Sequence, residues 1–142
     1  MFAPDTEQYA GKGQPTVDLA SIAAAARRTE ELGFDGLTAP EAGHDPFLPL
    51  TLAAEHTEKI TLGTNVAIAF PRSPMITAQL AWDLQHLSGG RFQLGLGTQV
   101  RAHVDRRYGS PSAWQGPPGP QLRDYVSCVK AMFETFQSGT KP

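Results

Sequence analysis

Cysteine is nearly absent: Cys128 stands alone among 142 residues. No internal disulfide can form, and a reducing cytoplasm suits such a chain. Val126, Val129 and Met132 surround it in sequence, which predicts a packed structural thiol. Long hydrophobic runs are missing as well. No stretch approaches the roughly 18 apolar residues of a membrane span, and MFAPDTEQYAGKGQ lacks the apolar core of a signal peptide. Nor is there an excess of either charge: 12 Lys and Arg face 14 Asp and Glu, a net charge of −2. That balance gives no general pull toward nucleic acid or an anionic membrane, so neither is expected as a partner. The basic stretch RAHVDRRYG reads as a solvated loop, or more sharply as a contact for an anionic substrate.

Several chemical signatures are lacking too. The four histidines, His44, His56, His86 and His103, include no pair at helical i,i+4 spacing and no Cys–His cluster, so no metal site is predicted. There is no Walker-type phosphate loop and no G-x-S-x-G nucleophile elbow. Gly95 and Gly97 begin a G-x-G-x-x-G pattern, but Val100 occupies the place of its third glycine. A dinucleotide fingerprint is thereby excluded.

What is present is an alternation of elements. Any first strand lies within Met1–Gln8. Leu19, Ile22, Ala23 and Ala26 share one helical face. Thr16 or Asp18 can cap the start of that helix and Gly33 its end. Phe34–Thr38 then reads as a strand. A helix follows from about Asp45–Pro49 to Thr57, with Leu48, Leu52 and Ala53 facing a sheet. KITLGTNVAIAF is β-branched and apolar, as a strand covered on both faces should be. Ser73 and Pro74 open a further helix with Ile76, Leu80, Leu84 and Leu87 as its stripe, and Gly89 and Gly90 stop it. The strand RFQLGLG comes next. Residues 98–121, rich in proline and glycine, read as a long loop, and a loop of that length is expected to be functional. A last helix spans 122–137. The length suits a single domain over residues 1–142.

Strands alternating with helices imply an α/β fold with parallel strands and right-handed crossovers. Both a doubly wound open sheet and part of a (β/α)8 barrel satisfy that pattern. In either, ligands bind where strands end. The strand exits here carry Glu41 and His44, then Asn65 and Val66, then Gly97, Thr98 and Gln99.

Three stretches, LGFDGLTAPEAGHDPF, ITLGTNVAIAFPRSP and LSGGRFQLGLGTQ, in this order and spacing, resemble the luciferase-like monooxygenase superfamily, and within it the coenzyme F420-dependent oxidoreductase branch. The resemblance implies a TIM-like barrel, of which this chain supplies about the first four βα units. It implies coenzyme F420, or alternatively FMN, bound at the carboxyl ends of the strands, with hydride transfer to or from a small organic substrate. By position it implies a non-prolyl cis peptide at Asn65–Val66, cofactor contacts from Asn65, Val66, Gly97, Thr98 and Gln99, and catalytic roles for Glu41 and His44. Some relatives place a glutamate where Gln99 and Val100 stand here. A whole barrel takes roughly 250 residues, so the expectation is a fragment, with an FMN-dependent monooxygenase and a non-catalytic half-barrel that self-associates as the alternatives. A homo-oligomer is expected.

Overall fold

A computed structural model describes residues 18–110 and 113–139. The weak strand expected within Met1–Gln8 lies outside these residues. The elements run α1 (Leu19–Glu31), β1 (Gly36–Ala39), α2 (Phe47–Glu55), β2 (Thr61–Thr64), β3 (Ala67–Ile68), α3 (Pro74–Leu87), β4 (Phe92–Gln93), β5 (Leu96–Gly97), α4 (Arg101–Tyr108) and α5 (Pro118–Ser138). By their contacts the residues divide into two compact units, Met1–Ala67 with Asp83–Gly95, and Ile68–Trp82 with Leu96–Pro142.

The first unit is built around a parallel sheet of order β1-β2-β4. Gly36 to Ala39 pair with Thr61 to Thr64, and Leu62 and Gly63 pair with Phe92 and Gln93. Parallel neighbours joined through helices are the repeating unit of a (β/α) barrel. The described strands form an unclosed run of such units, which makes this a partial barrel.

Local sequence explains most element boundaries. Asp18 caps α1 by accepting the Ala20 N–H at 3.1 Å, and Gly33 and Gly89–Gly90 adopt the left-handed backbone that follows a helix end. Asp45 caps the start of α2, its Oδ1 accepting the Phe47 N–H at 2.8 Å. Ile22 and Ala26 of α1 are buried as expected.

Two expected helix faces differ. In α2 the buried residues are Phe47, Pro49, Leu50, Ala53 and Ala54, so Ala53 is inside as expected, while Leu48 is 57% exposed. In α3 the buried side is Thr77, Ala78, Ala81 and Leu84, while Ile76 and Leu87 are 54% and 50% exposed. Both helices are apolar around much of their circumference, so periodicity alone does not set their phase. The inner sides mix small residues, Ala53 and Ala54 in α2 and Ala78 and Ala81 in α3, with the larger Phe47, Leu50 and Leu84.

The single strand expected over residues 59–70 is two, β2 and β3, separated at Asn65–Val66. The strand RFQLGLG is likewise divided into β4 and β5. Residues 98–121, expected as loop, contain α4 and the first turn of α5. Helix α4 buries only Val104, so its sequence carries no apolar stripe to announce it. Cys128, expected to be packed, is exposed on α5. Tyr125 and Val129 form the buried side of that helix, and Cys128 lies round from it.

The amino end of β4 is tied by one side chain. Arg91 Nε donates to Ser88 O at 2.7 Å. Its Nη1 donates to the Thr57 hydroxyl and to Ile60 O, each at 2.9 Å. Its Nη2 donates to Ala54 O at 3.0 Å and Thr57 O at 2.8 Å. The planar fork of a guanidinium reaches carbonyls in several directions, and here it gathers the ends of α2 and α3 around the start of β2 and β4. Glu30 does the complementary job for donors. Its Oε1 accepts from the backbone N–H of Glu58, Lys59 and Ile60 at 3.0, 2.6 and 3.0 Å.

Candidate functional site

In the first unit the expected site residues gather where β1 and β2 end. Asn65 donates its N–H to Ala39 O at 2.9 Å, and Glu41 donates its N–H to Val66 O at 3.3 Å. Backbone bonds thus hold the Asn65–Val66 pair beside the segment that leaves β1, and bring Glu41 next to Val66. The Asn65–Val66 peptide is cis. Glu41 is buried. Residues 60–70 are otherwise inside, apart from Thr61 at the start of β2, yet Asn65 and Val66 are both exposed, Val66 by 38%. An apolar side chain left open at the carboxyl end of a buried strand run is a surface on which another apolar body can rest.

His44 sits on the same exit segment, half-buried. Its Nδ1 lies 3.0 Å from Asp45 O. A carbonyl oxygen only accepts, so this contact puts a ring proton on Nδ1, and Nε2 is a buried atom. Because Asp45 also caps α2, the helix start and the histidine tautomer are set by one residue.

The break between β2 and β3 is sealed by Thr64. Its hydroxyl donates to Gly95 O at 2.7 Å and accepts the Gly95 N–H at 2.9 Å. Gly95 O also accepts the Ala67 N–H at 2.9 Å. A Cβ at Gly95 would run into the Thr64 carbonyl oxygen. This glycine is required by the neighbouring strand.

In the second unit, Ala69 donates its N–H to Gly97 O at 2.9 Å, and Gly97, Thr98 and Gln99 lead from β5 to α4. Gln99 holds a left-handed backbone with φ 57°, unusual for a residue with a side chain. Local bonds hold the turn: Gln99 Oε1 accepts the Val100 N–H at 3.0 Å, and the Thr98 hydroxyl donates to Gln99 O at 3.0 Å. The amide carbonyl of Gln99 is therefore engaged in its own turn.

Sequence reasoning missed a cleft in this second unit. It has a volume of about 530 Å³ and lies among the residues that follow β3, the segment 113–117 and the amino-terminal half of α5. Phe70, Arg72, Tyr125 and Cys128 are among its walls. Trp114 stands edge-on to Phe70 with ring centroids 5.1 Å apart. The signal in the sequence was Trp114 set in a proline-rich stretch. Among the described residues there is no group of three or more His, Cys, Asp or Glu side chains that could hold a metal ion, and no helix is long and apolar enough to cross a membrane.

Comparison with known proteins gives this arrangement a context. Residues 1–140 match the family described as luciferase-like monooxygenase. An uncharacterized protein of Mycobacterium tuberculosis is 52% identical over 123 residues, which cover 87% of this chain and 35% of that protein. A second Mycobacterium tuberculosis protein, provisionally named a coenzyme F420-dependent oxidoreductase, is 37% identical over 123 residues, 84% of this chain and 33% of that protein. Among solved structures, the oxygenating constituent of 3,6-diketocamphane monooxygenase from Pseudomonas putida, in complex with FMN, superposes with a TM-score of 0.69 at 19% identity, covering 80% of this chain and 34% of that one. The chain spans about a third of the length of the curated relatives it matches.

Proposed function

Because the chain belongs to the luciferase-like monooxygenase family, we propose that it is part of an oxidoreductase that uses coenzyme F420 to move a hydride to or from a small organic substrate. The observation that carries the reading is the exposed Asn65–Val66 pair, braced against Glu41 at the carboxyl end of an otherwise buried strand run. The 37% identity to a relative named for coenzyme F420 supports the deazaflavin over other ring cofactors.

The residues suit such a group. Val66 offers an apolar surface for a flat ring, and Asn65 a polar edge beside it. In this reading Asn65, Val66, Gly97, Thr98 and Gln99 hold the cofactor, which supplies a ring carbon that accepts or gives up a hydride. Gln99 orients and does not exchange protons, since an amide has no accessible pKa near neutrality. His44 carries the proton transfer through Nε2, its other nitrogen fixed on Asp45 O. Glu41 is the acidic partner on the same segment. Work in the cytoplasm fits a chain whose one thiol needs no oxidation.

The test is titration of the purified protein with coenzyme F420 and with FMN, followed by cofactor fluorescence, with circular dichroism to show that the chain is folded. Saturable binding of coenzyme F420 is the expected result. A folded chain that binds neither overturns the proposal. The likeness to a structure in complex with FMN favours a second reading, an FMN-dependent monooxygenase. Binding of FMN alone, with oxygen consumption on supply of reduced FMN, selects it.

Self-association belongs to the same proposal. β1 and β4 are the outer strands of the described sheet, and open parallel edges invite pairing. Sedimentation velocity is expected to show a homo-oligomer, and a monomer at all concentrations removes this part of the reading.

A further inference from the structure

We infer that the cleft of the second unit is a binding site for a planar, ring-containing small molecule, a property that stands whether or not the chain binds a flavin. Its volume of about 530 Å³ is within the range of ligand pockets. Its apolar walls are Phe70, Pro74, Pro117, Pro120 and Tyr125, five cyclic side chains, with the smaller Ala113 and Cys128 between them. Prolines and aromatic rings have few rotamers to lose, so such walls are ordered before a ligand arrives and the entropic cost of binding is low. They also offer flat faces, which favour a flat guest over a flexible chain of the same carbon content.

Several polar groups around the cleft are engaged with protein. The Tyr125 hydroxyl lies 2.6 Å from the Thr77 hydroxyl, so what Tyr125 contributes to the wall is its ring. Gln121 spends both ends of its amide on the 113–117 segment: Oε1 accepts the Gln115 N–H at 3.0 Å and Nε2 donates to Ala113 O at 2.6 Å. Arg72 Nη1 donates to Ile68 O at 3.1 Å. Asp124 Oδ1 accepts from Nε and Nη2 of Arg123, both at 3.2 Å. With these groups committed, carbon dominates the recognition surface. Gln121 in addition holds the segment that bears Trp114, whose ring packs on Phe70, so the wall is braced from both sides.

Cys128 supplies the measurement. It is the one cysteine of the chain, it lines the cleft and it is exposed, so its rate of reaction with an aromatic disulfide reagent reads cleft occupancy. The probe is 2-naphthol, compared with 1-decanol, which has the same number of carbons without a ring. Expected is a saturable slowing of Cys128 modification, threefold or more, by 2-naphthol, and a clearly weaker effect of 1-decanol. Gly116→Phe fills the cleft from its rim, where a Cβ meets nothing within 4 Å, and Pro117→Gly removes one wall. Each is expected to abolish the 2-naphthol effect while keeping the circular dichroism of the parent. No slowing, slowing that does not saturate, equal slowing by 1-decanol, or full protection in a folded variant of either kind overturns the inference.

Discussion

Thr64 and Gly95 form a reciprocal pair: one hydroxyl gives a hydrogen bond to the glycine carbonyl at 2.7 Å and takes one from its N–H at 2.9 Å. The pair stands where the β2–β4 ladder ends and β3 begins. Residues 65 and 66 are bonded toward β1 instead, so the backbone of β2 cannot satisfy Gly95 there. A side chain takes over, which frees Asn65 and Val66 to face outward.

Thr64→Val keeps the shape and removes the hydroxyl. It leaves a half-buried donor and a weakened acceptor at Gly95, at a cost of about 1 kcal/mol, read as a lower urea midpoint at unchanged slope. Gly95→Ala is expected to be worse, because its methyl meets the Thr64 carbonyl and backbone must move.

Arg91→Lys tests the knot at the amino end of β4. A lysine reaches one or two of the acceptors that Arg91 joins, and Ala54, Thr57, Ile60 and Ser88 are left short of donors. The loss is expected to be about 3 kcal/mol or more. Thermal unfolding of the variant measures it.

Glu30 links part of the stability in acid to its carboxylate. Partial burial works to raise its pKa, but the N–H groups of Lys59, Ile60 and Glu58 and the charge of Arg91 hold it below its ordinary 4.5. The folded state therefore binds this proton less readily than the unfolded state. The stabilisation is complete above pH 4.5 and is lost as the pH falls through the lowered folded value. Glu30→Gln is expected to be less stable than the parent at pH 7, with the gap narrowing below pH 4.5. Denaturant midpoints across that range decide it.

Val66→Glu tests the proposed cofactor surface. Because Val66 is 38% exposed, the melting temperature is expected to change little. Affinity for coenzyme F420 is expected to fall tenfold or more, about 1.4 kcal/mol, as charge and bulk replace the apolar face. Unchanged affinity removes Val66 from the cofactor's contacts.

The sequence made some features legible and hid others for identifiable reasons. Asp18, Gly33, Pro74 and the Gly89–Gly90 pair bound helices because each acts through its own backbone or cap, with no help from distant residues. The phase of α2 and α3 was hidden because apolar residues surround both helices, and burial is then decided by what fits against the sheet. The break at Asn65 was concealed in a continuous apolar run; only the resemblance to a family pointed to it. Helix α4 was invisible because it buries one residue, Val104. The cleft was announced only by Trp114 in its proline-rich stretch, since its walls come from stretches up to 58 positions apart, Phe70 to Cys128.

The role of Arg91 has a consequence for how such chains are recognised. The motif SGGRF contains two helix-ending glycines, a guanidinium that satisfies carbonyls, and the buried Phe92. The bonds of Arg91 run to Ser88, Thr57, Ile60 and Ala54, at the ends of α2 and α3 and the start of β2. A chain can therefore keep SGGRF for the stability of its sheet alone. SGGRF is a credential of architecture, whereas the proposed cofactor and proton-transfer roles rest on other positions, 41, 44, 66 and 99.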